Sequence, residues 1–186
     1  MQASGPFTVQ ETHGILSRPE NKIRASSDRF GWSSLYASAQ REIPYEGYFP
    51  AVKDQLIVQH LDGPVPIDRL HGPNPARCVV PAGGLHLVPG GLDFGVRLMG
   101  ALSTLHVYVR RNVIEEVACD LYDGDPERIE IPPQFLAPDP AISALMDAIR
   151  VALDEDDYGS SIYVDYLARA IAAQLVRRFC GKESRA

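Results

Sequence analysis

The chain has 186 residues, with 18 Lys and Arg against 24 Asp and Glu, a formal net charge of −6. That length holds about one domain, and a chain of this size buries roughly 70% of its unfolded surface without a metal or disulfide staple. Apolar residues at 45% and charged residues at 23% exclude global disorder. The acidic balance argues against a basic nucleic-acid-binding face.

The three cysteines, Cys78, Cys119 and Cys180, stand at long and unrelated spacings with no C-x-x-C. Zinc-knuckle and thioredoxin-type motifs are thereby excluded, and reduced thiols in a cytoplasmic protein are expected. Near the N-terminus, Glu11, Arg18 and Glu20 interrupt any apolar core, so no signal peptide is expected. The longest uncharged stretch, residues 78–92, is short and broken by Gly and Pro, so no membrane partner is expected.

In chain order, residues 1–28 are polar and without period, with Phe7 the one aromatic. They are expected to form a flexible N-terminal arm. From residue 30 short apolar runs follow at 30–41, 54–61, 65–70, 76–80, 85–88, 93–99 and 102–109. Turn signals separate them: Asp62-Gly63-Pro64, residues 71–75, Pro81-Ala82-Gly83-Gly84 and Pro89-Gly90-Gly91. Strands spaced near ten residues with such turns predict a sandwich or barrel. A short helix is expected over 112–122 and one further strand over 129–136. Asp139-Pro140, an N-cap followed by proline at the first helical position, opens a helix with an Ile142, Leu145, Met146, Ile149 and Leu153 stripe. The acidic run 154–157 reads as a solvated connection. A last helix runs from 160 or 161 to 180, with Asp165 and Arg169 at i, i+4. It carries one apolar stripe through Val164, Leu167, Ala168, Ile171, Leu175 and Phe179 and a second through Tyr163, Tyr166, Ala170, Ala173 and Val176. A helix so apolar must be covered on two sides. Tyr163, Leu167, Ala170 and Ile171 are therefore candidates for a dimer interface.

The stretch 83–98, GGLHLVPGGLDFGVRL, resembles the second conserved block of the cupin superfamily, with Gly83, Pro89 and Gly91 at matching spacing. Phe94 stands at that block's metal-binding His position and Leu98 at its Asn position, and no H-x-H occurs in the chain. The wider layout looks like the sensor half of AraC-type regulators. It is carried by residues 31–36 (GWSSLY), 54–63 (DQLIVQHLDG), 105–109 (LHVYV), 166–171 (YLARAI) and 176–179 (VRRF). This resemblance implies a mainly β fold: a cupin-like, jelly-roll barrel at 29–137 that binds a small-molecule effector, then a helical dimerisation segment at 138–180. It also implies a homodimer and a DNA-binding domain with helix-turn-helix motifs. Residues 181–186 are expected to begin the linker to that absent domain, and this chain itself is expected to touch no nucleic acid.

No nucleophile elbow, P-loop, dinucleotide fingerprint or calcium loop occurs, so no catalytic residue, cofactor or metal ligand is assigned. Strand alternation offers Trp32, His60, His106 and Tyr108 as ligand-binding candidates, with Trp32 and Tyr36 on one face of the first strand. His86 alternates with Leu85 and Leu87. The function expected is effector sensing and dimerisation in a transcription regulator. The alternative is a stand-alone cupin enzyme, a metal-dependent isomerase or dioxygenase.

Overall fold

The computed structural model describes residues 5–70, 76–122, 129–154 and 160–179. Expectations placed on residues 1–4, on His71, on the acidic run at 155–157, on Cys180 and on residues 181–186 lie outside them. Ten strands come first: β1 (Lys22–Ser26), β2 (Leu35–Glu42), β3 (Tyr45–Phe49), β4 (Gln55–His60), β5 (Val65–Arg69), β6 (Ala76–Val80), β7 (Leu85–Val88), β8 (Phe94–Leu98), β9 (Leu102–Val109) and β10 (Gln134–Leu136). The helices are α1 (Arg111–Leu121), α2 (Pro140–Asp154) and α3 (Ser160–Phe179). Two antiparallel sheets, ordered β1-β2-β9-β4-β7-β10 and β3-β8-β5-β6, face each other as a jelly roll, and the helices cover the outside of the larger sheet. The fold is mainly β with C-terminal helices, as the spacing of apolar runs and turns predicts.

The pleat of the larger sheet divides its side chains between two cores. Leu35, Ala37, Ile57, Leu85, Leu87, Leu105, Val107 and Val109 point outward into a core shared with α1, α2 and α3. Tyr36, Leu56, Val58, Val88, Leu102 and Tyr108 point inward and meet Val65, Ile67, Phe94, Val96 and Leu98 of the smaller sheet. The central strands β4 and β9 are thus buried on both faces.

The 83–91 motif carries the chain between the sheets. Gly83 and Gly91 adopt φ of 79° and 83°, which a side chain would strain. Gly90 is required for closeness instead: a Cβ there would lie 2.2 Å from the Lys53 carbonyl oxygen, a backbone atom that cannot swing away. Gly90→Ala is expected to cost about 1–3 kcal/mol through overpacking. The check is a thermal midpoint several degrees below that of the wild type.

Residues 5–28 do not form a free arm. Phe7 is buried, and its N–H donates to the Trp32 carbonyl at 2.7 Å. Ile15 and Leu16 join the inner core, and β1 pairs antiparallel with β2. Each such apolar side chain contributes about 1.5–3 kcal/mol when buried, which offsets part of the cost of ordering the polar residues between them. A second tie is Arg110, which lies 3.8 Å over the Phe7 ring and binds the Glu11 carboxylate at 2.6 and 3.2 Å.

Asp139 caps α2 as expected, its Oδ1 accepting from the N–H groups of Ala141 and Ile142 at 3.0 and 3.1 Å. Its other oxygen pairs with Arg178 of α3. Asp165 and Arg169 do not pair with each other. Asp165 accepts from the Ser34 hydroxyl at 2.5 Å and Arg169 binds Glu116 of α1 at 2.5 Å, so both fasten α3 to its neighbours.

The dimer candidates separate. Ile171 and Leu167 are buried in the helix-side core because α1, α2 and β2 all pack on α3. Ala170 is half-buried. Tyr163 remains exposed beside Ile162 and Tyr166, which are 67% and 70% exposed, so the uncovered apolar face is one turn at the start of α3.

Candidate ligand cavity

Inside the barrel a cavity of about 30 Å³ is bounded by apolar side chains from both sheets, among them Val58, Ile67, Val96 and Leu98. Most of its polar wall comes from the larger sheet, Glu42 of β2, Thr104 and His106 of β9, His60 of β4 and His86 of β7, with Tyr45 of β3 added from the smaller sheet. Register puts them there. Ser38, His106, Val58 and His86 form one row across the sheet, and Gln40, Thr104 and His60 form the next. Ile15, from the N-terminal segment, supplies part of the wall.

Glu42 organises the polar side. Its Oε1 accepts from the Thr104 hydroxyl at 2.6 Å, from His106 Nε2 at 2.9 Å and from the Gln40 amide at 3.3 Å. Burial by itself would raise this carboxyl. The charge and hydrogen bond of His106, with those of Thr104 and Gln40, outweigh it and bring the group down to about 2. The carboxylate can only accept, so His106 Nε2 carries the proton and its Nδ1 faces away. His106 Nδ1, His60 Nδ1 and His86 Nε2 are all buried without a hydrogen-bond partner among the described residues. Burial pushes the His60 ring down to about 4 and the His86 ring to about 3, so both are neutral near pH 7. Buried polar groups are nearly always satisfied in folded proteins. Three orphaned ring nitrogens in one cavity therefore mark a place built to be completed.

Of the four candidates drawn from alternation, the structure brings His60 and His106 together in this cavity. Tyr108 also points into the barrel, but further along β9, where its hydroxyl is engaged by His13: the backbone N–H donates at 3.3 Å and Nδ1 lies at 3.1 Å. Trp32 is on the other side of the sheet, in the helix-side core, stacked on Phe30 with ring centroids 5.1 Å apart. The reason is local. Strand β2 begins only at Leu35, so alternation counted back from Tyr36 fails before Trp32. Glu42, Tyr45, Thr104 and His86 are the polar cavity groups not singled out from the sequence. Thr104 shares the phase of His106 and Tyr108, and Glu42 that of Tyr36, so alternation carries a signal for both.

The cupin resemblance raises the question of a metal, and these residues do not fit one. Phe94 occupies the ligand position and packs edge-on against the His13 ring at 4.8 Å. Among the described residues no three His, Cys, Asp or Glu side chains gather closely enough to hold an ion. His60, His86 and the Glu42–His106 pair are spread over three rows of the sheet.

No family model matches this sequence, and no curated protein matches it. In structure the fold is similar to that of the AraC-like transcriptional activator CuxR, at 10% identity and a TM-score of 0.57, covering 96% of this chain and 69% of CuxR. It is similar also to apo ToxT from Vibrio cholerae strain SCE256, at 9% identity and a TM-score of 0.56, covering 80% of this chain and 58% of ToxT. The chain thus spans under two thirds of the ToxT length. A Schizosaccharomyces pombe Cnp3 cupin domain overlaps over 53% of this chain, at 14% identity and a TM-score of 0.40. The chain shares the fold of the matched parts of CuxR and ToxT. No described helix is long and apolar enough to cross a membrane.

Proposed function

We propose that this chain is the effector-sensing and dimerisation part of an AraC-type transcription regulator, non-catalytic and cytoplasmic. In this reading DNA is bound by helix-turn-helix motifs outside these residues. The observation that carries it is the barrel cavity with three unpartnered imidazole nitrogens, walled in part by a docked N-terminal segment. The shared fold of two AraC-like regulators supports the class. A small molecule that binds one arrangement of barrel and N-terminal segment better than another shifts the population between them. Arg110, immediately before α1, holds Glu11 of that segment and Asp54 at 3.4 Å, so the N-terminal segment and the start of the helix layer meet at one side chain.

In the same reading the homodimer forms at the exposed start of α3, on Ile162, Tyr163 and Tyr166. Wild-type protein is expected to sediment as a dimer at micromolar concentration, and Tyr163→Glu/Tyr166→Glu as a monomer with an unchanged circular dichroism spectrum. A monomeric wild type would refute the dimer. Stoichiometric iron, manganese or zinc in purified protein, lost in His86→Leu, would overturn the non-catalytic reading in favour of a cupin enzyme.

A further inference from the structure

The chemistry of the cavity restricts what can fill it. Glu42 is fully ionised behind its three donors and only 3% exposed. No Lys or Arg lines the cavity among the described residues. An anionic ligand would therefore be buried against a carboxylate with no guanidinium or ammonium group in the wall itself to balance it, and both desolvation and repulsion oppose that. The rest of the wall is aliphatic, apart from Phe94 and Tyr45. Against it stand the three orphaned ring nitrogens: those of His60 and His86 donate or accept according to tautomer, and His106 Nδ1, in a ring whose Nε2 carries the proton, accepts. Space is the other constraint. A cavity of about 30 Å³ holds a water or two. Anything larger must take the volume of a wall side chain. Ile15 is the one wall residue contributed by the N-terminal segment, outside any strand.

We propose that the barrel cavity binds a small uncharged molecule, an apolar body bearing hydroxyl or amide groups, in the space held by Ile15, and rejects carboxylates and phosphates. This specificity rests on the effector-sensing reading above. The hydroxyl or amide groups complete the hydrogen bonds of His60, His86 and His106. The apolar body replaces the contacts of Ile15 with the aliphatic wall. Entry of the ligand displaces the segment around Ile15, exposing its backbone.

Three probes of one shape and different charge test this: benzyl alcohol, benzoate and benzylammonium. Binding to the full chain at pH 7.5 is read from histidine ring nitrogen chemical shifts and from the thermal midpoint. Benzyl alcohol is expected to move the His60, His86 and His106 signals and to bind at least ten-fold more tightly than benzoate. Ile15→Ala is expected to tighten benzyl alcohol binding several-fold, and Val58→Phe, which fills the cavity, to abolish it. Benzoate or benzylammonium binding as well as the alcohol would overturn the uncharged class while leaving effector sensing intact. Benzyl alcohol binding that persists in Val58→Phe would overturn the location. Failure of all three probes on both wild type and Ile15→Ala would overturn this inference and the sensing role of the cavity together.

Discussion

Ile171→Glu is expected to unfold the chain rather than to produce a folded monomer. Ile171 is fully buried where α3 meets α1, α2 and the outer face of the larger sheet. The substitution forfeits about 1.5–3 kcal/mol of apolar burial. It also places a carboxylate in a low-dielectric core, for several kcal/mol more unless the group stays protonated. Together these approach the whole stability of a typical domain, about 5–15 kcal/mol. Tyr166→Glu, on the same helix but 70% exposed, is expected to leave stability within roughly 0.5 kcal/mol. Urea unfolding followed at 222 nm distinguishes the two. A soluble, helical Ile171→Glu protein with a normal midpoint would show that α3 is not seated in this core.

Acid is expected to destabilise the barrel well above the pH at which carboxylates ordinarily titrate. Burial lowers the rings of His13 and His60 to about 4, and that of His86 to about 3, against an ordinary value of 6.5. Neighbours modify this: Glu42 and Asp62 partly restore the His60 ring, whereas His106 opposes protonation of all three and Arg69 that of His86. In the unfolded chain these rings take up protons below pH 6.5, while the folded chain refuses them until pH 4 or 3. Unfolding therefore consumes protons across that window, and stability falls as pH drops through it. Above pH 6.5 the full stability is present. Glu42 acts in the same direction at lower pH: its stabilisation is intact above the ordinary carboxyl range and is lost as pH falls toward about 2. Each pH unit by which folding displaces a titration is worth about 1.4 kcal/mol, so the loss near pH 4.5 reaches several kcal/mol. Stability plotted against pH near 5 is expected to show uptake of about three protons on unfolding. In His86→Leu the uptake should drop by about one. An identical slope in that variant would mean that the His86 ring titrates normally in the fold.

These two expectations rest on features of unequal visibility in the sequence. Strands β4 to β9 are legible because apolar runs alternate with strong turn residues, and α2 because Asp139 and Pro140 mark its start. β1 and β3 are not. β1 is an edge strand of Lys22, Ile23 and Arg24 exposed to water, without an apolar face, and β3 is a short YEGYF run enclosed by Pro44 and Pro50. The docking of the N-terminal segment is equally hidden, because Phe7, Ile15 and Leu16 follow no period; their burial is decided by the barrel they meet. The two apolar stripes of α3 are plain, but which is covered from within depends on α1 and α2 closing over it. His60 and His106 can be picked out by alternation. The role of Glu42 cannot, because its value lies in partners on β9, more than sixty residues away, which only the β2–β9 register brings opposite.

That same sheet has a consequence for how the molecule can be divided. Its central strands have no wet side, and Ile57, Leu105 and Val107 lie in the core shared with the helices. A barrel severed after residue 137 would keep α1 but lose α2 and α3, and would present the part of this face that they cover to water as a sticky surface, the kind that drives self-association. The helices alone would bring the matching half and no sheet to lay it on. Barrel and helices are therefore inseparable as a soluble unit, and an excised barrel should be recovered from inclusion bodies rather than from solution.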